Sequence, residues 1–179
     1  MPEKMTVRWL FLLAIMAVIA GRADAASPAG GDPSNPSGLQ MPRFVSLKSD
    51  KVNVRGGPTK DHDVTWVYTR TGLPVEITAE FENWRRIRDW EGSEGWVYHS
   101  LLSGRRTVLV APTAKSADDA VPIHASADPE SAVLARLQPQ VLATVKNCTG
   151  AWCRVVGNGF DGWVEQKRLW GVYPNEKVD

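Results

Sequence analysis

From Arg43 onward, apolar and polar residues alternate in short runs broken by turns, and no stretch keeps a helical period. Val52 and Val54 alternate with polar neighbours up to "RGGPT", whose two glycines and proline end a strand and open a loop. "TWVYTRTG" follows as a short strand. "PVEITAEF" then puts Val75, Ile77, Ala79 and Phe81 on one predicted face and Glu76, Thr78 and Glu80 on the other. Glu82-Asn83 turns the chain so that "WRRIRDW" runs back beside it. After the turn Glu91–Glu94 come "GWVY", a single turn over His99–Ser103 and a last apolar run, "TVLV". About five short strands in about sixty residues, joined by tight turns, describe a small β-barrel.

The same order is then written again. "AVPIHASADPE" answers "KVNVRGGPTKD", with Val121 and Ile123 at the places of Val52 and Val54, although His124-Ala125-Ser126 replaces the Arg-Gly-Gly turn. "LQPQVLATV" answers "GLPVEITAE", and "WCRVV" answers "WRRIR", pairing Trp152 with Trp84 and Arg154 with Arg86. "GWVEQKRLWG" repeats "GWVYHSLLSG", so Gly162 and Trp163 correspond to Gly95 and Trp96. Four landmarks in one order indicate an internal repeat and an all-β chain of two tandem barrels. The polar segment 111–117 reads as the linker between a first barrel over 43–110 and a second over 118–173, with 174–179 as a tail.

These words resemble the bacterial SH3 domains, exported modules that often occur in tandem. "VNVRGGPT", "WRRI" and "GWVYHSLL" carry the resemblance in the first copy, and "WCRV" and "GWVEQKRL" in the second. The resemblance implies SH3-like barrels that bind cell-wall peptides or other proteins. Val54, Gly95, Trp96, Gly162 and Trp163 belong to its fold motifs, and Trp84 lies near the groove tryptophan of eukaryotic SH3 domains. Tyr98 and Leu101 stand where those domains carry a groove proline and a tyrosine, so recognition of Pro-rich peptides is not implied.

The N-terminus changes the picture of where the protein works. Lys4 and Arg8 precede an apolar run from Trp9 to Ala20, and Ala23-Asp24-Ala25 offers small residues for a cut, predicting a signal peptide over 1–25 cleaved after Ala25. Twelve residues span about 18 Å as a helix against about 30 Å of hydrocarbon, so no stable membrane anchor is expected after cleavage. Residues 26–42, rich in Pro, Gly, Ser and Asn, are expected to form a flexible linker. The whole chain is 43% hydrophobic and 23% charged with a formal net charge of +1, and the leader takes three of its 21 basic and two of its 20 acidic residues. The balanced remainder argues against nucleic acid as a partner, because phosphate binding needs a surplus of cations. Cys148 and Cys153 flank a predicted hairpin turn and suit a disulfide in an oxidising compartment, periplasmic or secreted; two free thiols or half a metal site are the alternatives.

Alternation along "WRRIRDW" sets Ile87 inward and puts Trp84, Arg86, Arg88 and Trp90 on the opposite face, a platform on which indoles stack and guanidinium forks hold a carboxylate. The second copy offers Trp152 and Arg154, with Val156 in place of Arg88. The competing reading pairs the arginines with Glu76 and Glu80 and lays the tryptophans over the barrel end. Trp96 and Trp163 are expected in the cores. His62, His99 and His124 fall in separate loops or strand ends, and Asp61-His62-Asp63 cannot converge on one ion, so no catalytic residue, metal or cofactor is predicted. The function expected is a non-catalytic periplasmic module that recognises peptidoglycan or a cell-envelope protein. The alternative is a scaffold subunit whose barrels make only protein contacts.

Overall fold

A computed structural model describes residues 34–113, 116 and 119–179. The predicted signal peptide lies outside the described residues, as do 26–33 of the predicted linker and 114, 115 and 117 of the second linker. The first sheet has strands β1 (Arg43–Leu47), β2 (Val52–Arg55), β3 (Val64–Tyr68), β4 (Pro74–Phe81), β5 (Trp84–Arg88), β6 (Glu94–Tyr98) and β7 (Leu102–Ser103), in the order β3-β2-β6-β5-β4-β1-β7. The second has β8 (Thr107–Val110), β9 (Val121–His124), β10 (Val133–Leu137), β11 (Leu142–Thr149), β12 (Trp152–Gly157), β13 (Phe160–Glu165) and β14 (Leu169–Trp170), in the order β10-β9-β13-β12-β11-β8-β14. The two orders are the same, strand for strand, and each sheet curls round its own apolar core. Single 3₁₀ turns at His99–Leu101 and Gln166–Arg168 precede the last strand of each.

The repeat thus has seven strands, opening on β1 and β8, and this moves a boundary. "TVLV" was expected to close the first barrel, but it is β8, hydrogen-bonded to β11 and β14 in the second sheet. All four of its residues are buried. Val108 and Val110 join the second core while Leu109 joins the first. An unbroken apolar run is what a strand covered on both faces requires. Thr107 Oγ1 also donates to the Gly72 carbonyl at 2.7 Å, bonding the second barrel's first strand to the first barrel.

The alternation predicted for "PVEITAEF" holds only halfway. Ile77 faces Ile87 and Glu76 faces Arg88, but a bulge between Ile77 and Ala79 shifts the register so that Glu80 faces Arg85 and Phe81 faces Trp84. An extra residue in one strand exchanges its faces, so Glu80 is buried and Phe81 is 45% exposed. The second copy bulges at the matching place, between Val145 and Asn147, and sets Cys148 opposite Cys153. Those cysteines form a disulfide, and both are buried.

Trp96 and Trp163, expected in the cores, are half-buried on the outer faces, while Val97 and Val164 point inward. Period two settles the matter against residue size: Gly95 and Gly162 share the inner face with the valines. A Cβ on Gly95 would collide with Val54 Cγ1, and one on Gly162 would meet the His124 carbonyl at 2.6 Å. The glycine before each tryptophan is therefore a packing requirement.

The segment expected to be a flexible linker and the C-terminal tail are both fastened. In the segment expected to be a flexible linker, Ser37 N and Oγ donate to Glu80 at 3.0 and 2.7 Å, and Met41 packs on the first core. Glu80 also receives Arg43 and Arg85. Burial pushes its carboxyl up, but hydrogen bonds from Arg43 and Ser37 and the charge of Arg85 outweigh this and hold it below the usual carboxylate range. In the tail, β15 (Lys177–Val178) pairs with β11, and Glu176 accepts both Arg106 terminal nitrogens at 2.8 and 3.0 Å. Among the described residues no helix is long and apolar enough to cross a membrane.

Candidate functional site

Where the barrels meet, a cleft of about 700 Å³ opens between β1, β4 and β5 on one side and the chain around β12 and β14 on the other. Its floor is aromatic. Phe44 meets Trp170 edge-on with centroids 5.1 Å apart and Tyr173 at 4.7 Å. Trp152, half-buried, forms part of the wall and presents an edge-to-face contact to His124 at 5.2 Å. Such surfaces offer flat apolar area at low entropic cost to a ring or a peptide plane.

The polar groups of the cleft are tied together across the junction. Glu76 is only 2% exposed. Tyr173 donates its hydroxyl to Glu76 Oε1 at 2.8 Å, and Arg88 donates Nε to Oε2 at 2.9 Å together with Nη2. A buried carboxylate must be paired to be tolerated, and here its partners come from both barrels. Burial pushes the Tyr173 hydroxyl well above the usual phenol range, and the hydrogen bond to Glu76 adds to the shift. It stays protonated and donates. The Arg88 side chain is 44% exposed, and its Nη1 has no partner among the described residues, so the fork is held by one edge with the other free. Gln166 donates to the Tyr173 and Glu176 carbonyls at 2.6 and 3.0 Å, while its Oε1 is buried without a partner. Lys167 and Glu165 pair at 2.9 Å along the rim.

Of the residues expected to bind ligand, the cleft unites Arg88 and Trp152, one from each barrel. The rest go elsewhere. Trp84 is 8% exposed and meets Tyr98 edge-on at 5.4 Å, so it offers no open platform. Trp90 packs half-buried on the first core and lines a separate hollow of about 490 Å³ with Trp170 and Lys167. Arg86 pairs with Glu94, and Arg154 grips Asp161 with two bonds of 2.9 Å, the same cross-strand pair in both copies. Arg88 does pair with Glu76, but Glu80, turned inward by the bulge, takes Arg43 and Arg85 instead.

Sequence reasoning missed Phe44, Trp170 and Tyr173. A signal was present: "LWGVYP" carries two aromatics, and the first copy has Ser103 where the second has Trp170. Among the described residues no three His, Cys, Asp or Glu side chains are placed to hold a metal ion. The cleft's aromatic and polar groups offer surfaces for stacking and hydrogen bonding.

No curated protein matches the chain. Over 74% of its length it is similar to the structure of NlpC2 from Trichomonas vaginalis, of which it covers 49%, at 12% identity and a TM-score of 0.31. For NlpC1 from the same organism the values are 76%, 48%, 14% and 0.31, so the chain spans about half the length of either structure. The family model of the bacterial SH3 domain matches residues 48–104 and again 117–171. Two matches covering well over half the chain, on two sheets of one strand order, place this protein in the bacterial SH3 domain family, which it carries in two tandem copies.

Proposed function

We propose that the protein is a non-catalytic binding module working outside the cytoplasm, and that it takes a peptide segment, from peptidoglycan or a cell-envelope protein, into the cleft between its barrels. The observation that carries this reading is the construction of the cleft: aromatic walls drawn from both copies around a guanidinium that a buried Glu76 fixes by one edge, leaving Nη1 without a partner among the described residues. Apolar clefts of several hundred Å³ with a few convergent polar groups are the usual form of a binding site. The buried disulfide and the predicted leader support an oxidising compartment.

The test is co-sedimentation with purified peptidoglycan, comparing the natural protein with Trp152→Ala and Arg88→Lys. Lysine keeps a cation beside Glu76 but cannot offer a fork. Pelleting that both variants lose, with melting temperatures little changed, is the expected result. Pelleting that both retain rejects the cleft as the site. If the natural protein does not pellet, peptidoglycan is removed as the ligand, and crosslinking to envelope proteins decides the remaining half of the reading.

A scaffold role has its own observation. β3 and β10 end their sheets, each paired on one side only, and they expose Val64, Val67, Val133 and Leu134. Open edges with apolar side chains add strands from other chains. Concentration-dependent sedimentation abolished by Val133→Lys favours this reading, and a monomer at every concentration rejects self-assembly through these edges.

A further inference from the structure

We propose a second binding site, for an anionic group carried on a sugar, in a hollow of about 440 Å³ beside the turn that joins β10 to β11. It shares no lining residue with the aromatic cleft. Arg70 from the first barrel and Arg136 from β10 of the second both line it, and no acidic residue does. Elsewhere in the described chain arginines are commonly matched to carboxylates, as Arg43, Arg85, Arg86, Arg88, Arg106 and Arg154 are. Arg136 has no side-chain partner among the described residues, and Arg70 has one, a 3.3 Å bond from Nη1 to the Gln140 carbonyl. Two guanidinium groups without counterions, in a hollow of a chain whose charges otherwise balance, present a local positive field with forks shaped for phosphate or carboxylate.

The backbone gives an independent sign. Gln140 has φ of 62°, in the left-handed region, where the corresponding position of the first copy is Gly72 with φ of 79°. The second copy keeps a long amide side chain at a position that favours glycine, and such strain gathers at functional sites. In this conformation the Gln140 carbonyl accepts Arg70 and so fixes one of the two cations. Gln138, Asn158 and the half-buried ring of Phe160 complete the lining. Amides suit hydroxyl groups, and an aromatic face suits the apolar side of a sugar ring.

The experiment is a titration of the ¹⁵N-labelled protein, followed by amide shifts, with glucose 1-phosphate, glucuronate and neutral glucose in parallel. Saturable shifts at the amides of Gln138, Gln140, Val141, Asn158, Gly159 and Phe160 are expected with at least one anion, and the arm that responds tells phosphate from carboxylate. Arg136→Gln, an exposed change on β10, should weaken binding about tenfold or more, as losing a charge-assisted contact does, and so should salt raised to about 0.5 M. Arg70→Gln should do the same, with β12 amides confirming the fold. Absence of saturable shifts with both anions, equal shifts with neutral glucose, or undiminished binding by Arg136→Gln would each overturn the proposal.

Discussion

Leu109→Ala tests whether two barrels that share a strand also share their stability. Leu109 is 1% exposed and packs in the first core, while its own backbone pairs with Leu142 and Trp170 in the second sheet. Truncation removes three buried carbons, about 2.4 kcal/mol at about 0.8 per methylene, and the cavity left behind raises this to about 3–4 kcal/mol. A barrel of about sixty residues standing alone holds roughly 3–9 kcal/mol, so the loss would take from about a third to all of its stability. A two-barrel unit absorbs the same loss and shifts its urea midpoint by about 2 M for a slope of roughly 1.5 kcal/mol per M. The assay is native-state amide exchange in urea, read at Ile77 and Ile87 in one barrel and at Val145 and Val155 in the other. Protection should fall together at all four. Val108→Ala, which deletes packing on the strand's other side, should lower them by about 1.5 kcal/mol. If Leu109→Ala weakens Ile77 and Ile87 while Val145 and Val155 keep their full protection, the barrels unfold separately and the reasoning from the shared strand is wrong.

Two further outcomes follow from the buried cross-strand pairs. Alkylation without reductant should label neither Cys148 nor Cys153, and replacing both by Ser should cost about 2 kcal/mol, given a closed loop of sequence separation 5; labelling of both thiols in the natural protein contradicts the disulfide. Glu80, whose carboxyl is held low in the folded state, contributes stability fully present above the ordinary unfolded value of about 4.3 and lost as pH falls through its folded value. Protection of the Ser37 amide at neutral pH, lost on acidification through the lowered folded value of Glu80 and lost at all pH in Glu80→Gln, is the expected pattern; an amide indifferent to both removes the proposed fastening.

The repeat and the all-β class were legible because short alternations and glycine-punctuated turns are local signals, and both copies carry the "GWV" landmark in the same place. What misled was geometry that local pattern does not contain. "TVLV" reads as a buried strand wherever it lies, and only the pairing with β11 and β14 tells which barrel owns it. One bulged residue carries Glu80 inward and Phe81 outward, against a pattern that looked regular. Trp84 does lie on the face that alternation assigned, but its contact with Tyr98 accompanies nearly complete burial, a tertiary fact with no sequence signature. Arg88, expected from the sequence to face a ligand, lines the cleft, yet its neighbours there, Trp170 and Tyr173, lie far off in the chain and meet it only where the two barrels come together.

The matched bulges give the two copies one structural position filled by different chemistry: Glu80 opposite Arg85 in the first, Cys148 opposite Cys153 in the second. Each joins the same two strands on the same inner side. A charge pair is undone by a proton and ignores a reductant; a disulfide is undone by a reductant and ignores a proton. Duplication has therefore left one molecule with two dissimilar locks, so that souring the medium loosens the half that holds the N-terminal segment, and an influx of thiols loosens the half that holds the C-terminal strand.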